Sequence, residues 1–303
     1  MEQARTQMTG IGLALFAVLV LSPDAALIRL VEADRATLLF WRGFLEGITL
    51  LVTITIIYRG RVLASILRMG RWGPIAIVLF TLSQIGFVMS ITLTTAANTL
   101  FMLATAPLFA ALMSRIFLGE PIALRTWIAI AAALLGIGII FSGSLGGGNL
   151  LGDLLGLGTA MTMAAQFSIA RHARHVSLVP ALALAMLLVA LLVGPTFASP
   201  LELGERDWIW LSLMGFIVVP VAFGLLTLAP RYIPSPEVTL IMQLEVVLGP
   251  LFVWLVVAEV PGVATFIGGG IVLVTLVTHS LLGIRAYRRR TRRRAPPPTI
   301  TPR

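Results

Sequence analysis

Long apolar runs separated by short polar segments dominate the chain as far as residue 284. Windows of about 20 apolar residues, the length at which a helix crosses a bilayer, recur ten times along this region. We predict spans at approximately 9–30, 36–58, 73–92, 95–117, 122–142, 152–171, 177–197, 207–228, 235–257 and 262–284. Short links between spans favour antiparallel neighbours. The pattern predicts an all-α, polytopic membrane protein with ten transmembrane helices.

A glycine-rich link, SLGGGNLLGD at residues 144–153, divides these spans into two sets of five. An odd number of spans per set makes the second set enter the membrane from the opposite side. Inverted repeats of this kind are typical of transporters, with the substrate site between the halves near the midplane. We therefore predict two inverted five-helix repeats around a central cavity. The predicted units are a first repeat at 1–143, a link at 144–151, a second repeat at 152–284, and a basic, proline-rich, disordered tail at 285–303.

Spans four and nine support the repeat because their sequences share a register. A shift of 139 residues aligns Asn98 with Glu237, Pro107 with Val246, and Glu120 with Glu259. Since valine takes the place of proline in span nine, we expect Pro250, one turn further on, to supply the bend there.

Composition narrows the class of protein. The chain has 303 residues, of which 58% are hydrophobic and only 12% charged, whereas soluble proteins carry about 25% charged residues. It has no cysteine, so disulfides and thiolate metal sites are excluded, and its three histidines leave little for a histidine-rich site. No P-loop, GxSxG or HExxH motif is present. We expect no cofactor, no metal and no catalytic residue, and transport driven by a gradient.

Arginine placement predicts the orientation. The net charge is +9, and all 22 basic residues are arginine, eight of them in the tail. With the N-terminus inside, inner segments hold 18 arginines and outer loops three. The positive-inside rule then places both termini in the cytoplasm of a bacterial-type inner membrane. The basic tail is typical either of nucleic-acid or anionic-lipid binding or of an orientation anchor. We interpret it as an anchor and expect no nucleic-acid partner.

Three motifs carry a family resemblance: FWRGF at residues 40–44, ATAPLFAALMSRIFLGEP at 104–121, and LEVVLGPLFVWLVVAE at 244–259. Each half of the chain resembles the EamA unit of the drug/metabolite transporter superfamily, and the likeness covers nearly the whole chain before the tail. The resemblance implies a secondary transporter that exports small metabolites, and the family includes exporters of aromatic amino acids. We expect amino-acid export by alternating access. The resemblance also implies that spans one, three, four, six, eight and nine line the cavity.

Four charged residues within the spans are candidates for coupling or ion pairing. Glu245 lies near the middle of span nine, where a carboxylate costs at least about 3 kcal/mol unless it is paired, hydrated or protonated. It suits proton binding, a substrate ammonium, or a structural hydrogen bond. Arg42 and Glu46 share one helix face, as a relay or as a structural ion pair. Asp24 follows Pro23 in an interrupted helix and would meet Arg42 if it faces the centre.

Uncharged residues in the cavity-lining spans complete the predicted substrate site. The polar candidates suit the two charged groups of a small zwitterion, or interhelical hydrogen bonds. They are Gln84, Asn98, Gln166 and Gln243. The bulky candidates suit an apolar substrate moiety, or simple packing and lipid contact. They are Phe101, Met102, Met163, Phe167, Phe223 and Trp254.

Other functions remain as alternatives to metabolite export. A broad-specificity drug exporter would accept several lipophilic cations. A membrane-embedded enzyme would require a polar cluster at one membrane face, whereas the polar residues of this chain are isolated and near mid-depth. A receptor or structural role is a further alternative. Glycines in spans five and ten, LLGIGII and FIGGGIV, permit close helix contact and indicate either a scaffold or the face of a possible homodimer.

Overall fold

The protein is helical throughout the part of the chain that the computed structural model describes. That part comprises residues 2–118, 124–144, 149–172, 177–229, 232–233, 238 and 241–294, and it contains no strand. Several positions used in the sequence analysis lie outside the described residues. They are Glu120, Pro121, Glu237, residues 145–148 of the link, and the tail from residue 295. The side chain of Phe167 also lies outside them, although its backbone is helical.

The described part of the first half contains eight helices. Spans one and four are each split into two helices, and a short helix follows span two. The helices are α1 (Glu2–Leu21), α2 (Asp24–Leu30), α3 (Arg35–Ile57), α4 (Val62–Arg68), α5 (Trp72–Leu93), α6 (Ala96–Ala104), α7 (Ala106–Leu118) and α8 (Leu124–Ser144).

In the described part of the second half there are six α-helices longer than a turn and a π-helical segment within span eight. The elements are α9 (Leu150–His172), α10 (Val179–Phe197), α11 (Glu205–Ser212), the π segment (Leu213–Val218), α12 (Val219–Leu228), α13 (Glu245–Val257) and α14 (Val263–Arg294). α14 continues through Arg294, so residues 285–294 are helical in the structure, whereas the sequence analysis predicted a disordered tail from residue 285.

Seven of the described segments are long and apolar enough to cross a membrane. Two further apolar helices, Val179–Gly194 and Glu245–Val257, are shorter. The multi-pass architecture is therefore confirmed, while the exact number of ten crossings stays a prediction. The seven segments are Met8–Leu30, Arg35–Ile57, Trp72–Leu93, Ala96–Met113, Leu124–Gly143, Glu205–Leu226 and Val263–Gly283.

The two halves break a helix at equivalent positions. Span four is interrupted at Thr105, just before Pro107, which has no backbone N–H to donate to a preceding turn. Adding the shift of 139 residues to Ala106, where α7 begins, gives Glu245, where α13 begins. Span nine is thus interrupted before Glu245. Pro250 lies inside α13, so the expectation that it would take over the role of Pro107 is wrong.

Contacts between the halves follow a two-fold exchange. Span two packs against span seven, span four against span nine, and span five against span ten. The two spans of each pair are equivalent members of the two repeats, so exchanging the repeats leaves each pair unchanged. Two other pairs of contacts exchange with one another: α5 with α9 matches α1 with α12, and the α6–α9 contact matches the α2–α13 contact. A symmetry relation between the repeats requires this pattern, because equivalent surfaces meet around one axis.

Candidate functional site

A bidentate ion pair joins the first two spans deep in the bundle. Nη1 and Nη2 of Arg42 donate to Oδ1 and Oδ2 of Asp24, each at 2.9 Å. Asp24 is positioned by the chain break at Pro23, which ends α1 and begins α2. Both residues are buried. The break therefore turns an acidic side chain toward α3 at the point where Arg42 can reach it.

Glu46 extends this pair along α3. Its Oε1 lies 3.0 Å from Nε of Arg42, an ion pair without hydrogen-bond alignment. Its Oε2 accepts a hydrogen bond from Nε2 of Gln84 at 3.3 Å. Glu46 is 0% exposed and lies about 16 Å along α3 from Arg35, at about 1.5 Å per residue. We call Asp24, Arg42, Glu46 and Gln84 the charge cluster.

The remaining contacts of Arg42 come from spans three and eight. Its Nη1 donates to Sδ of Met214 at 3.3 Å, and its guanidinium lies 5.9 Å from the centre of the Phe87 ring. Met214 belongs to the π-helical segment, a rare local structure that is frequent at functional sites. Arg42 is therefore held by side chains from four spans.

Glu245 lies beside the charge cluster at the break in span nine. It is partly buried, and its charge interacts with that of Asp24. Its carboxylate makes no hydrogen bond or ion pair with a described residue. On the other side of the break, Oε1 of Gln243 is buried and receives no hydrogen bond from the described residues. The break thus presents two acceptors that lack donors.

Negative charge exceeds positive charge in this region. This region contains three carboxyl groups, those of Asp24, Glu46 and Glu245, and one guanidinium, that of Arg42, which pairs with Asp24 and Glu46. Among the described residues no second cation pairs with them. Unpaired carboxylates at membrane depth are costly and usually face a cavity or a partner. The site is therefore suited to take up protons or a positively charged group.

The central cavity expected from the repeat stays a prediction. Among the described residues, apolar side chains such as Phe109 and Ile137 line a small groove between α7 and α8.

The structure separates the predicted site residues into groups. Asp24, Arg42, Glu46 and Gln84 come together, with Gln243 and Glu245 beside them. Gln166 instead donates to the carbonyl of Leu79 at 3.1 Å, a contact between spans six and three. Asn98 belongs to a polar cluster at one end of the bundle.

The bulky candidates whose side chains the structure describes lie in different environments. Met102 is fully buried and Phe101 lies against Gly269 of α14. Trp254 is 51% exposed and Phe223 is 36% exposed, as expected for side chains that face lipid. Met163 is partly buried in α9. Their part in substrate binding stays a prediction.

Two features of the site were missed in the sequence. Met214 gave no signal, because a methionine in an apolar span is ordinary. Asp153 did give a signal: it is an acidic residue four positions into an apolar helix, and the structure buries it completely.

These features define a multi-pass helical membrane protein built from two repeats, with an ion-pair cluster between its spans. The model of the EamA-like transporter family matches residues 6–142 and, again, residues 150–281. The chain therefore belongs to the EamA-like transporter family, which confirms the resemblance seen in the motifs.

A comparison with solved structures supports the fold and nothing further. A solved crystal structure matches 92% of this chain and 99% of its own, with a TM-score of 0.65 and 17% sequence identity. No curated protein matches the chain.

Proposed function

We propose that this protein is a secondary transporter of the inner membrane that exports small metabolites, amino acids in particular, by alternating access between its two halves. Membership of a transporter family supports transport. The pairing of equivalent spans across the two halves supports movement of one half against the other. We infer further that the chain is not an enzyme, since the family to which it belongs is a family of transporters.

The acceptors at the break in span nine carry the proposal for an ammonium-bearing substrate. Oε1 of Gln243 lacks a donor and Glu245 lacks a cation among the described residues. An ammonium group has three donors and a positive charge, so it satisfies both. Asp24 and Glu46 are already engaged by Arg42. Glu245 is therefore the carboxylate left for a substrate or a proton.

We propose that both termini are cytoplasmic. The segment between α3 and α5 carries Arg59, Arg61, Arg68 and Arg71, which is the strongest basic loop of the chain. Within it α4 exposes Leu63 and Leu67, as an interfacial helix does. A homodimer remains a prediction.

A panel of substrates on reconstituted protein tests the proposal. Proteoliposomes loaded with radiolabelled amino acids are assayed for counterflow. We expect unlabelled amino acids with a free ammonium group to compete, and their N-acetyl derivatives not to compete. Competition by the N-acetyl derivatives at equal strength would contradict an ammonium site.

A matched pair of variants locates the site. Glu245→Gln keeps the size of the side chain and removes its charge, and we expect a loss of at least about tenfold in counterflow, which corresponds to about 1.4 kcal/mol. Glu202→Gln, in the loop before α11, should leave counterflow unchanged. Equal effects of the two variants would exclude Glu245 from binding.

A broad drug exporter is the second candidate, favoured by the apolar groove between α7 and α8. It predicts that lipophilic cations compete in the same assay and that the two enantiomers of an amino acid do not differ.

A further inference from the structure

The connection between α3 and α5 differs from its counterpart in the second repeat. Residues 58–71 contain the short helix α4 and four arginines but no acidic residue. In the second repeat, residues 198–204 form a loop, and residues 198–207 contain three acidic residues and one arginine. The candidate membrane crossings on either side of α4 end at Ile57 and begin at Trp72. The helix α4 therefore lies at the level of one membrane surface.

The inward face of α4 fixes this helix against both halves of the protein. Val62 and Ile66 are four positions apart, so they share one face of the helix. They pack against two apolar clusters, which contain Met186 and Ala181 of α10 in the second half. The position of α4 is thus set by the protein, and its opposite surface faces the surroundings.

The outward surface of α4 carries a leucine stripe beside a basic stripe. Leu63 and Leu67 are also four positions apart, and they are 69% and 71% exposed. Ala64 and Arg68 follow about 100° further round the helix, and both are exposed. An apolar stripe next to a basic one is typical of a helix that lies in the plane of a membrane interface.

The arginines of this connection have no acidic partner. All four are exposed, and none of them forms an ion pair with a carboxylate of a described residue. The guanidinium of Arg71 lies 4.9 Å from the ring centre of Trp72, and tryptophan is enriched at membrane interfaces. The negative charges available at a membrane surface are the phosphate groups of anionic lipids, which attract clustered arginines. The four residues are Arg59, Arg61, Arg68 and Arg71.

Arg59 occupies a backbone position that favours glycine. The helix α3 ends in a Schellman motif, in which the N–H of Gly60 donates to the carbonyl of Thr55 at 2.8 Å and the N–H of Arg59 to that of Ile56 at 3.2 Å. The left-handed position of this motif is usually glycine, but here it is Arg59, with φ of 50°. Arginine is less stable than glycine in this conformation. Since strained positions cluster at functional sites, the strain indicates a function for the side chain.

We propose that α4 and its four flanking arginines form a binding surface for anionic phospholipids of the surrounding bilayer. The guanidinium groups bind lipid phosphates, while Leu63 and Leu67 enter the acyl region beneath the headgroups. In the orientation proposed above, these lipids belong to the cytoplasmic leaflet. The inference goes beyond the transport function, because it gives one repeat a lipid partner and requires no substrate.

Lipid competition at one position tests this preference. A bimane fluorophore is attached at Ile56→Cys, which is 72% exposed at the end of α3, in the cysteine-free chain. In proteoliposomes, brominated phosphatidylglycerol competes with unbrominated phosphatidylcholine for contact with the fluorophore, and quenching gives their relative affinity. We expect a preference of at least about tenfold for phosphatidylglycerol, since each arginine near an anionic surface contributes about fivefold. Equal affinity for the two lipids would overturn the proposal.

Matched double variants assign the preference to this connection. Arg61→Gln combined with Arg68→Gln removes two of its charges, and we expect the preference to fall at least about fivefold. Arg35→Gln combined with Arg206→Gln removes two exposed arginines at the opposite end of the bundle and should leave the preference unchanged. Equal effects of the two double variants, or a preference that survives the first, would overturn the proposal.

A further variant separates lipid binding from folding. Arg59→Gly relieves the backbone strain and removes one charge. We expect a higher thermal unfolding temperature in neutral detergent, together with a preference for phosphatidylglycerol that is lower by about twofold to fivefold. A purely structural role would change only the unfolding temperature. An unchanged lipid preference in Arg59→Gly would therefore overturn the proposal.

The depth of the leucine stripe is tested with the same fluorophore. Bimane at Leu63→Cys should be quenched by lipids brominated on their acyl chains, whereas bimane at Ala64→Cys should be quenched more strongly by iodide in the water phase. The two positions are adjacent in the sequence, so each serves as the control for the other. Stronger quenching of the Leu63→Cys label by iodide would overturn the insertion of α4 into the interface.

Discussion

Asp24 and Arg42 meet face to face through both carboxylate oxygens and both terminal nitrogens, each pair 2.9 Å apart. This geometry is the strongest that a guanidinium and a carboxylate form. It occurs here between the interrupted helix of span one and the continuous helix of span two, so the ion pair fixes the packing of span one against span two.

Breaking this pair should destabilise the protein. Asp24→Asn leaves the buried Arg42 with Glu46 alone, and removal of one partner of a buried pair costs about 3–5 kcal/mol. Thermal unfolding in detergent measures the loss. In a double-mutant cycle with Arg42→Gln, we expect a coupling energy above about 1 kcal/mol. Strictly additive effects would show that the pair contributes no specific interaction.

Two glycines of α8 should respond differently to the same substitution. A Cβ on Gly136 would lie 2.6 Å from the carbonyl oxygen of Gly268 in α14, whereas a Cβ on Gly138 would meet nothing within 4 Å. We expect Gly136→Ala to cost about 1–3 kcal/mol through overpacking. Gly138→Ala should be neutral or stabilise by up to about 1 kcal/mol. Thermal unfolding compares them, and equal effects would contradict the close packing of α8 and α14.

Asp34 should stabilise the start of α3 in a pH-dependent way. Its carboxylate accepts from the backbone N–H groups of Ala36 at 2.9 Å and Thr37 at 3.0 Å. Partial burial raises the pKa of Asp34, but the hydrogen bonds from Thr37 and Ala36 outweigh it and hold that pKa below the ordinary 3.8.

The sign of the effect follows from this lowered pKa. The stabilisation is fully present above the unfolded pKa and is lost as the pH falls through the folded one. We expect Asp34→Ala to cost about 1 kcal/mol near neutral pH and progressively less below about pH 3.8. Chemical unfolding across that range measures the difference. A cost that does not shrink with acid would contradict the cap.

Much of the architecture could be predicted from the sequence, because a bilayer imposes simple rules. Apolar windows locate the spans, and the register of 139 residues pairs span four with span nine, although it led us to expect the bend at Pro250 and not the break before Glu245. The contact between Asp24 and Arg42 was expected only on the condition that Asp24 faces the centre of the bundle, and the structure shows that contact. These predictions rest on local sequence patterns, which the apolar environment of the bilayer restricts to few interpretations.

Other features could not be predicted because they depend on packing between distant segments. The polar cluster around Asp153 requires knowing that α9 starts beside Asn98, some 55 positions away in the sequence. The π-helical segment that brings Met214 to Arg42 has no recognisable sequence pattern. For Trp254 and Phe223, the family resemblance predicted a place in the cavity wall. The rotation of each helix about its own axis determines whether such a side chain faces the cavity or the lipid, and the sequence does not specify that rotation.

The central claim is that the two repeats face opposite sides of the membrane, and cysteine accessibility tests it most directly. Because the chain has no cysteine, single thiols are placed after the second span of each repeat, as Arg61→Cys and Leu201→Cys, both at exposed positions. With a membrane-impermeant maleimide on intact cells, we expect labelling of Leu201→Cys, and labelling of Arg61→Cys only after permeabilisation. Labelling of both thiols from the same side would contradict the inverted repeat.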